Sequence, residues 1–169
     1  LLEKEWPNIY TLFSGGDDLC LIGPWKEIIS FSNTLREAFE KYTGGNSEVS
    51  FSGGIILSSP HLPVRNIADE AEQHLETSKS VEEKNRITLF NVPVKWNTYS
   101  ELLHLGEKLK SLFMQGKITK GLLYRLLEYA RSEKNIKDGN VKERYALWRS
   151  QFYYDIARNG KNLGSDKDT

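Results

Sequence analysis

The sequence predicts an α+β chain in which a part mixing strands and helices is followed by an all-helical part. Three observations carry that prediction. Apolar runs at Ile9 to Phe13 and Leu19 to Ile22 bracket a glycine-rich turn, the pattern of a β-hairpin. After Trp96 the hydrophobic period becomes helical and stays so. The charge changes sign at the same place: residues 1–98 hold 9 Lys+Arg against 14 Asp+Glu, a net of −5, and residues 99–169 hold 14 against 9, a net of +5. A formal net charge of zero over 169 residues therefore hides two electrostatically different halves. Together these observations divide the chain into an α+β domain over 1–98, a helical domain over 99–160 and a disordered tail over 161–169.

Each element has a local reason. Residues 1–7 read as the end of a helix stopped by Pro7. Gly15-Gly16 supplies two residues that tolerate positive φ, so the flanking runs can pair antiparallel, and the first run is apolar enough for a central strand. Pro24 suits a first helical position, and Ile28, Phe31, Leu35, Phe39 and Tyr42 recur at helical spacing until Gly44-Gly45. Val49 to Leu57 alternate as a strand with one buried face, on which Gly53 opens space for a helix or a nucleotide. Ser58 to Pro63 is a loop in which His61 reads as solvated. Val64, Ile67, Ala68, Ala71 and Leu75 form the next helical stripe, with the alanines permitting close approach to a sheet. Ile87 to Phe90 is a strand whose apolar pattern Val92, Val94 and Trp96 continue past Pro93.

Beyond Trp96 the helical stripes are Leu102, Leu105, Leu109, Leu112 and Phe113; then Leu122, Leu123, Leu126, Leu127 and Ala130 behind an N-capping Thr119. Lys134 to Asn140 reads as a polar break. A third stripe is Val141, Tyr145, Trp148, Phe152 and Ile156. Three such helices can bury their stripes on one another as a small bundle. Arg144, Tyr145, Trp148, Arg149, Tyr153 and Arg158 interleave bases with aromatics, which suits nucleic acid; at helical spacing the aromatics read rather as core and the arginines as surface.

Composition excludes some classes. A single cysteine, Cys20, rules out an internal disulfide and any multi-cysteine zinc site. No apolar run nears the roughly 20 residues of a membrane span, and no signal-peptide pattern opens the chain, so the reading is soluble and cytoplasmic. His74 and His104 sit in separate helices without evident partners and are assigned to no metal. The chain begins with Leu1 and only a few residues precede the first strand, so a fragment of a longer protein is expected.

The chemistry concentrates at Ser14-Gly15-Gly16-Asp17-Asp18. Adjacent carboxylates repel unless a cation lies between them, and Mg²⁺ takes oxygen ligands of this kind. Glycines beside them let a phosphate reach backbone N–H groups. A metal and a phosphate cradle on one hairpin suggest nucleotidyl transfer; the same residues also make an ordinary solvated turn.

Phe13 to Leu19, followed by Ile22-Gly23-Pro24-Trp25, resembles the second palm domain of the large subunit of type III CRISPR effector complexes. Further matching residues are Arg36, Phe39, Tyr42 to Asn46, Phe51 to Ile55, Lys79-Ser80 and Lys84 to Phe90, in the family's order over about 95 residues. The helical remainder is similar to that family's C-terminal domain. A diguanylate cyclase signature would carry Asp/Glu-Glu-Phe where this chain has Asp17-Asp18-Leu19, and that enzyme is kept as an alternative.

The resemblance implies a partial ferredoxin-like palm, an antiparallel sheet with helices. It implies ATP as substrate, Mg²⁺ or Mn²⁺ as cofactor, and cyclic oligoadenylate made when the effector binds target RNA, in antiviral defence. Carried over by position, Asp17 and Asp18 are the catalytic metal carboxylates, Ser14, Gly15 and Gly16 contact the nucleotide, and Lys79 and Lys84 are phosphate contacts. The implied partners are the other effector subunits, above all small subunits docking on 99–160, with guide and target RNA reached through the complex and no membrane. The family's first palm strand, with a further metal carboxylate, its first palm domain and its nuclease domain are expected upstream of Leu1, so the chain alone is expected to be inactive. The alternative reading is a scaffold module.

Overall fold

The computed structural model describes residues 5–46, 48–80, 84–139 and 143–159, the side chains of Glu143 and Arg144 excepted. Expectations for residues 1–4, Val141, the Arg144 side chain and the tail 161–169 lie outside these residues. The chain is α+β, with two small sheets and six helices among the described residues. It divides into two compact units, Leu1–His104 and Leu105–Thr169.

The first unit opens with the expected hairpin. Strands β1 (Tyr10–Gly15) and β2 (Asp18–Ile22) pair antiparallel, Gly15 opposite Asp18 and Ser14 opposite Leu19, with a bulge between Thr11 and Phe13. The connection is only Gly16-Asp17, and Gly16 alone is left-handed, at φ 63°. The expected pair of positive-φ glycines is thus corrected: Gly15 is a strand residue. Nor is β1 central. It is exposed along its length, Tyr10 by 67% and Phe13 by 56%, because among the described residues the ladder stops at two strands.

Helix α1 (Trp25–Tyr42) follows, capped by Pro24 rather than containing it. Phe31 is buried, whereas Tyr42, expected on the apolar stripe, is 90% exposed at the last turn before left-handed Gly44 and Gly45. The second sheet has the order β3-β4-β5, with β3 Gly53–Ile55, β4 Arg86–Leu89 and β5 Val92–Lys95. β3 is only three residues long, and Val49 and Leu57, read as its buried ends, are exposed. Ladder β4–β5 is antiparallel; β3–β4 is parallel, because α2 (Val64–Ser80) crosses between them. Pro93 is accommodated because β5 is an edge strand.

The two faces of this sheet are covered differently, and adjacent glycines report it. A Cβ on Gly53 would meet Ile87 and Trp96 at ordinary contact distances of 3.5 and 3.7 Å. A Cβ on Gly54 would lie 2.4 Å from the backbone nitrogen of Leu75 and 2.6 Å from the carbonyl of Ala71. The glycine that admits the helix is therefore Gly54, not Gly53 as the alternation suggested. On the Gly53 face the core is Ile87, Trp96 and Tyr99, with Ile29, Phe51, Ile55, Leu89, Val94 and Leu103 against it. Trp96 stacks on Phe51 at 5.4 Å and donates its indole N–H to the Phe51 carbonyl at 2.7 Å, which satisfies the buried donor. Tyr99 donates to the Ile29 carbonyl at 3.0 Å and so ties α1 to the helix that follows the sheet.

That helix, α3 (Trp96–Met114), begins at Trp96 rather than near Tyr99. Of the stripe read there, Leu102, Leu105 and Phe113 remain exposed and Leu109 and Leu112 are half-buried. In the second unit α4 (Lys120–Lys137) packs with α5 (Glu143–Ala146) and α6 (Trp148–Asn159). Thr119 caps α4 as expected, its hydroxyl accepting from the Leu122 N–H at 3.2 Å. α4 runs on to Lys137, one turn into the break expected from Lys134, and ends there at an Asp138 cap, its basic last turn suiting the helix dipole. The third helix, read as continuous, is two, parted by a turn at Leu147.

Candidate nucleotide and metal site

The hairpin turn sets the geometry of the acidic pair. Asp17 is the second residue of the two-residue connection and Asp18 the first of β2, so only Asp17 stands at the tip. Directly opposed residues share a face of an antiparallel pair. Asp18 therefore shares its face with Gly15, and with Phe13 and Cys20 one pair further on. The Phe13 ring lies where a Gly15 side chain would be, 3.0 Å from an added Cβ, so this glycine makes room beside Asp18 instead of making the turn. Ser14 lies opposite Leu19 in the ladder.

Asp17 and Asp18 are both exposed. Among the described residues no three His, Cys, Asp or Glu side chains converge as a metal cage. Two carboxylates do not make a closed structural site. They fit a hard cation that keeps several waters and completes its octahedron with substrate phosphates, as Mg²⁺ does.

Lys79 lies in the last turn of α2, its side chain 42% exposed and 3.0 Å from Glu76. Its pKa is raised, first by the hydrogen bond to Glu76 and then by the charges of Glu76, Asp18 and Asp17, burial acting the other way. Lys79 thus stands in the electrostatic field of the acidic turn. Lys84 is exposed ahead of β4, and among the described residues no interaction joins it to the turn. Of the expected site residues, Asp17 and Asp18 lie with Ser14, Gly15 and Gly16 in one hairpin, and Lys79, whose contact partner is Glu76, feels the charges of Asp18 and Asp17.

Several polar groups escaped the sequence reading. His74 is not partnerless: its Nδ1 donates to the Ile55 carbonyl at 2.8 Å, and its Nε2 is 2.7 Å from Asn91 Oδ1. Ser78 and Thr88, both buried, meet through their hydroxyls at 2.6 Å. In the second unit Asp155, buried on α6, accepts at one oxygen from the Tyr129 hydroxyl at 2.5 Å and from Arg125 Nε at 2.6 Å. The Tyr129 hydrogen bond, with Arg125 behind it, holds the Asp155 carboxyl below the usual carboxylate range, and burial followed by that same carboxylate pushes the Tyr129 phenol up. A lone acid between Phe152 and Ile156 at helical spacing was the available signal for a buried partner. Arg149 lies over the Trp148 ring at 5.5 Å, the one stacked base–aromatic pair of the interleaved set among the described residues.

The chain is similar to known proteins over much of its length. A family model described as Cas10/Cmr2, second palm domain, matches residues 3–88. The chain is 32% identical over 157 residues to the CRISPR system single-strand-specific deoxyribonuclease Cas10/Csm1 (subtype III-A) of Enterococcus italicus, covering 89% of this chain and 20% of the relative. It is 29% identical over 123 residues to the protein of the same description from Methanocaldococcus jannaschii, covering 64% of this chain and 15% of the relative. Against that of Thermococcus onnurineus it is 29% identical over 145 residues, covering 74% and 18%. The chain spans about one fifth or less of the length of these curated relatives.

Proposed function

This chain belongs to the Cas10/Cmr2 second palm domain family, and on that premise we propose that it supplies the nucleotidyl-transferring palm of a type III CRISPR effector large subunit, which links ATP into cyclic oligoadenylate. The observation that supports this reading is the hairpin turn, where Asp17 and Asp18 stand exposed with the Lys79 ammonium in their field. Asp17 and Asp18 would hold Mg²⁺ or Mn²⁺. Such an ion supplies charge neutralisation at the phosphates and activation of the attacking hydroxyl.

The chain's own residues have separable parts. Gly16, without a side chain, leaves the backbone of the tip open to a phosphate. Lys79, raised in pKa and so protonated near neutrality, would offer that phosphate a cation. Ser14 and Gly15 carry the strand backbone along which the nucleotide is oriented.

The test uses the complete effector with guide RNA, activated by target RNA, in ATP and Mg²⁺. Asp17→Ala with Asp18→Ala should abolish oligoadenylate while the complex still assembles. Unchanged product would overturn the assignment, and product from GTP in place of ATP would redirect it to a diguanylate cyclase.

A scaffold reading has its own support in the helical unit, where Tyr124, Leu127, Tyr153 and Tyr154 are each more than half exposed. We propose that these exposed side chains dock small subunits of the ribonucleoprotein. Co-purification of small subunits should survive the Asp17/Asp18 change and fail when Tyr153 and Tyr154 are replaced by Ser.

A further inference from the structure

Two hydroxyls are buried at the junction of α2 with the second sheet. Ser78 and Thr88 are both 0% exposed. Ser78 has one hydroxyl proton, and it goes to the Gly53 carbonyl at 2.7 Å, since a carbonyl can only accept. Across the 2.6 Å contact Thr88 must then donate to Ser78. The result is a directed relay from β4 through α2 to β3, with every proton placed.

Position 78 continues the sheet-facing stripe of Ala68, Ala71, His74 and Leu75, where apolar side chains alone would allow the helix to slide or rotate. Directional bonds do not allow it. One turn earlier His74 bonds the Ile55 carbonyl, so α2 is fastened to β3 at two successive turns. Gly54 lies between these anchors, with the helix backbone as close as its missing side chain permits. The residue after Ser78 is Lys79.

We propose that the Ser78–Thr88 pair is a positioning device for Lys79, fixing the rotation and register of α2 and with them the direction from which the ammonium reaches a nucleotide bound at the acidic turn. The inference rests on the nucleotide-binding reading above and adds to it the residues that aim its cation. A buried polar pair of this kind specifies a register that equivalent apolar residues would leave loose. Its contribution is read at the phosphate, through Lys79.

The experiment measures equilibrium binding of ATP with Mg²⁺ to the complete effector, and the KM for ATP. Ser78→Ala alone leaves a buried Thr88 hydroxyl without its acceptor and can unfold the domain. The informative variant is Ser78→Ala with Thr88→Val, which removes both hydroxyls together, so that no buried hydroxyl is stranded and only the Gly53 carbonyl loses its side-chain donor. Binding should weaken about two- to fivefold, the range of an exposed charge contact, with the rise in KM exceeding any change in kcat.

The decisive arm repeats the pair of changes in a Lys79→Met background. There the hydroxyl changes should add nothing, because the group they aim is gone. An undiminished effect in that background, or no effect where Lys79→Met alone weakens binding, overturns the proposal. If unaltered protein does not bind ATP, or Lys79→Met leaves binding unchanged, the nucleotide reading itself fails and the positioning role falls with it.

Discussion

At the scale of single residues, the acidic turn and the buried acid of the helical unit behave in opposite ways. Asp17 and Asp18 are exposed and adjacent, so replacing both with Ala relieves repulsion and should leave the thermal midpoint unchanged or slightly raised. A large fall would mean that the pair is structural. Asp155 is buried and accepts from Tyr129 and Arg125. Asp155→Ala strands the buried Tyr129 hydroxyl and should cost about 1–3 kcal/mol in urea unfolding, while Asp155→Asn, which keeps an acceptor oxygen, should cost less. The pH dependence has a definite sign. Because the folded Asp155 pKa is depressed, its contribution is present above the ordinary carboxylate value near 4 and is lost as pH falls through the folded value. Acid titration of circular dichroism should therefore show a loss of stability below about pH 4 that the Asn variant lacks. The acidic turn was legible in the sequence because glycine and aspartate at a hairpin advertise themselves. The partners of Asp155 and of Ser78 were not, since they lie 26 and 10 residues away; the lone acid at position 155 hints at burial but does not say what it meets.

At the scale of elements, the sequence located the helices well, and its errors fell where one backbone requirement overrode a side-chain pattern. The alternation from Val49 to Leu57 looked like a nine-residue strand, yet only Gly53–Ile55 finds a partner ladder. Hydrophobic alternation reports a face, not a neighbour. Between β4 and β5, Phe90 and Asn91 both adopt positive φ, 53° and 60°. Asparagine tolerates that conformation and phenylalanine does not, so the turn carried no recognisable signal. Phe90 is 63% exposed and loses little contact on truncation, so Phe90→Gly should relieve about 1 kcal/mol of left-handed strain and raise the thermal midpoint. A fall would mean that the ring makes a contact worth more than the strain. Gly54→Ala makes the contrary case. Its φ is unremarkable, but an added methyl carbon would lie 2.4 Å from helix backbone, which cannot yield as a flexible side chain does. The change should push α2 from β3 and loosen the His74 and Ser78 bonds, visible as faster amide exchange over Ala71 to Ser80.

At the scale of the molecule, chemistry requires more than the hairpin offers. The hairpin places two carboxylates side by side within the field of one ammonium, and among the described residues no third metal-ligating side chain converges on them. Two carboxylates can attract Mg²⁺, whose coordination tolerates water and phosphate as the remaining ligands. They cannot by themselves hold an attacking hydroxyl, a triphosphate and their ions in one line, and a displacement of about 1 Å can cost on the order of a hundredfold in rate. Among the described residues the hairpin also has no further strand on either edge, with Tyr10, Phe13 and Trp25 exposed nearby. Such an edge pairs readily with another chain, so in isolation self-association competes with catalysis. The 169-residue chain purified alone should therefore make at least about a hundredfold less cyclic oligoadenylate than the complete effector bound to target RNA, both assayed in ATP with Mg²⁺ or Mn²⁺. ATP binding is the milder demand and should survive, weakened, in the isolated chain, with Asp17→Ala and Asp18→Ala reducing its dependence on the metal. Turnover by the isolated chain comparable to that of the effector would show that these two carboxylates and Lys79 suffice to position the reacting groups, and would overturn the requirement for further ligands.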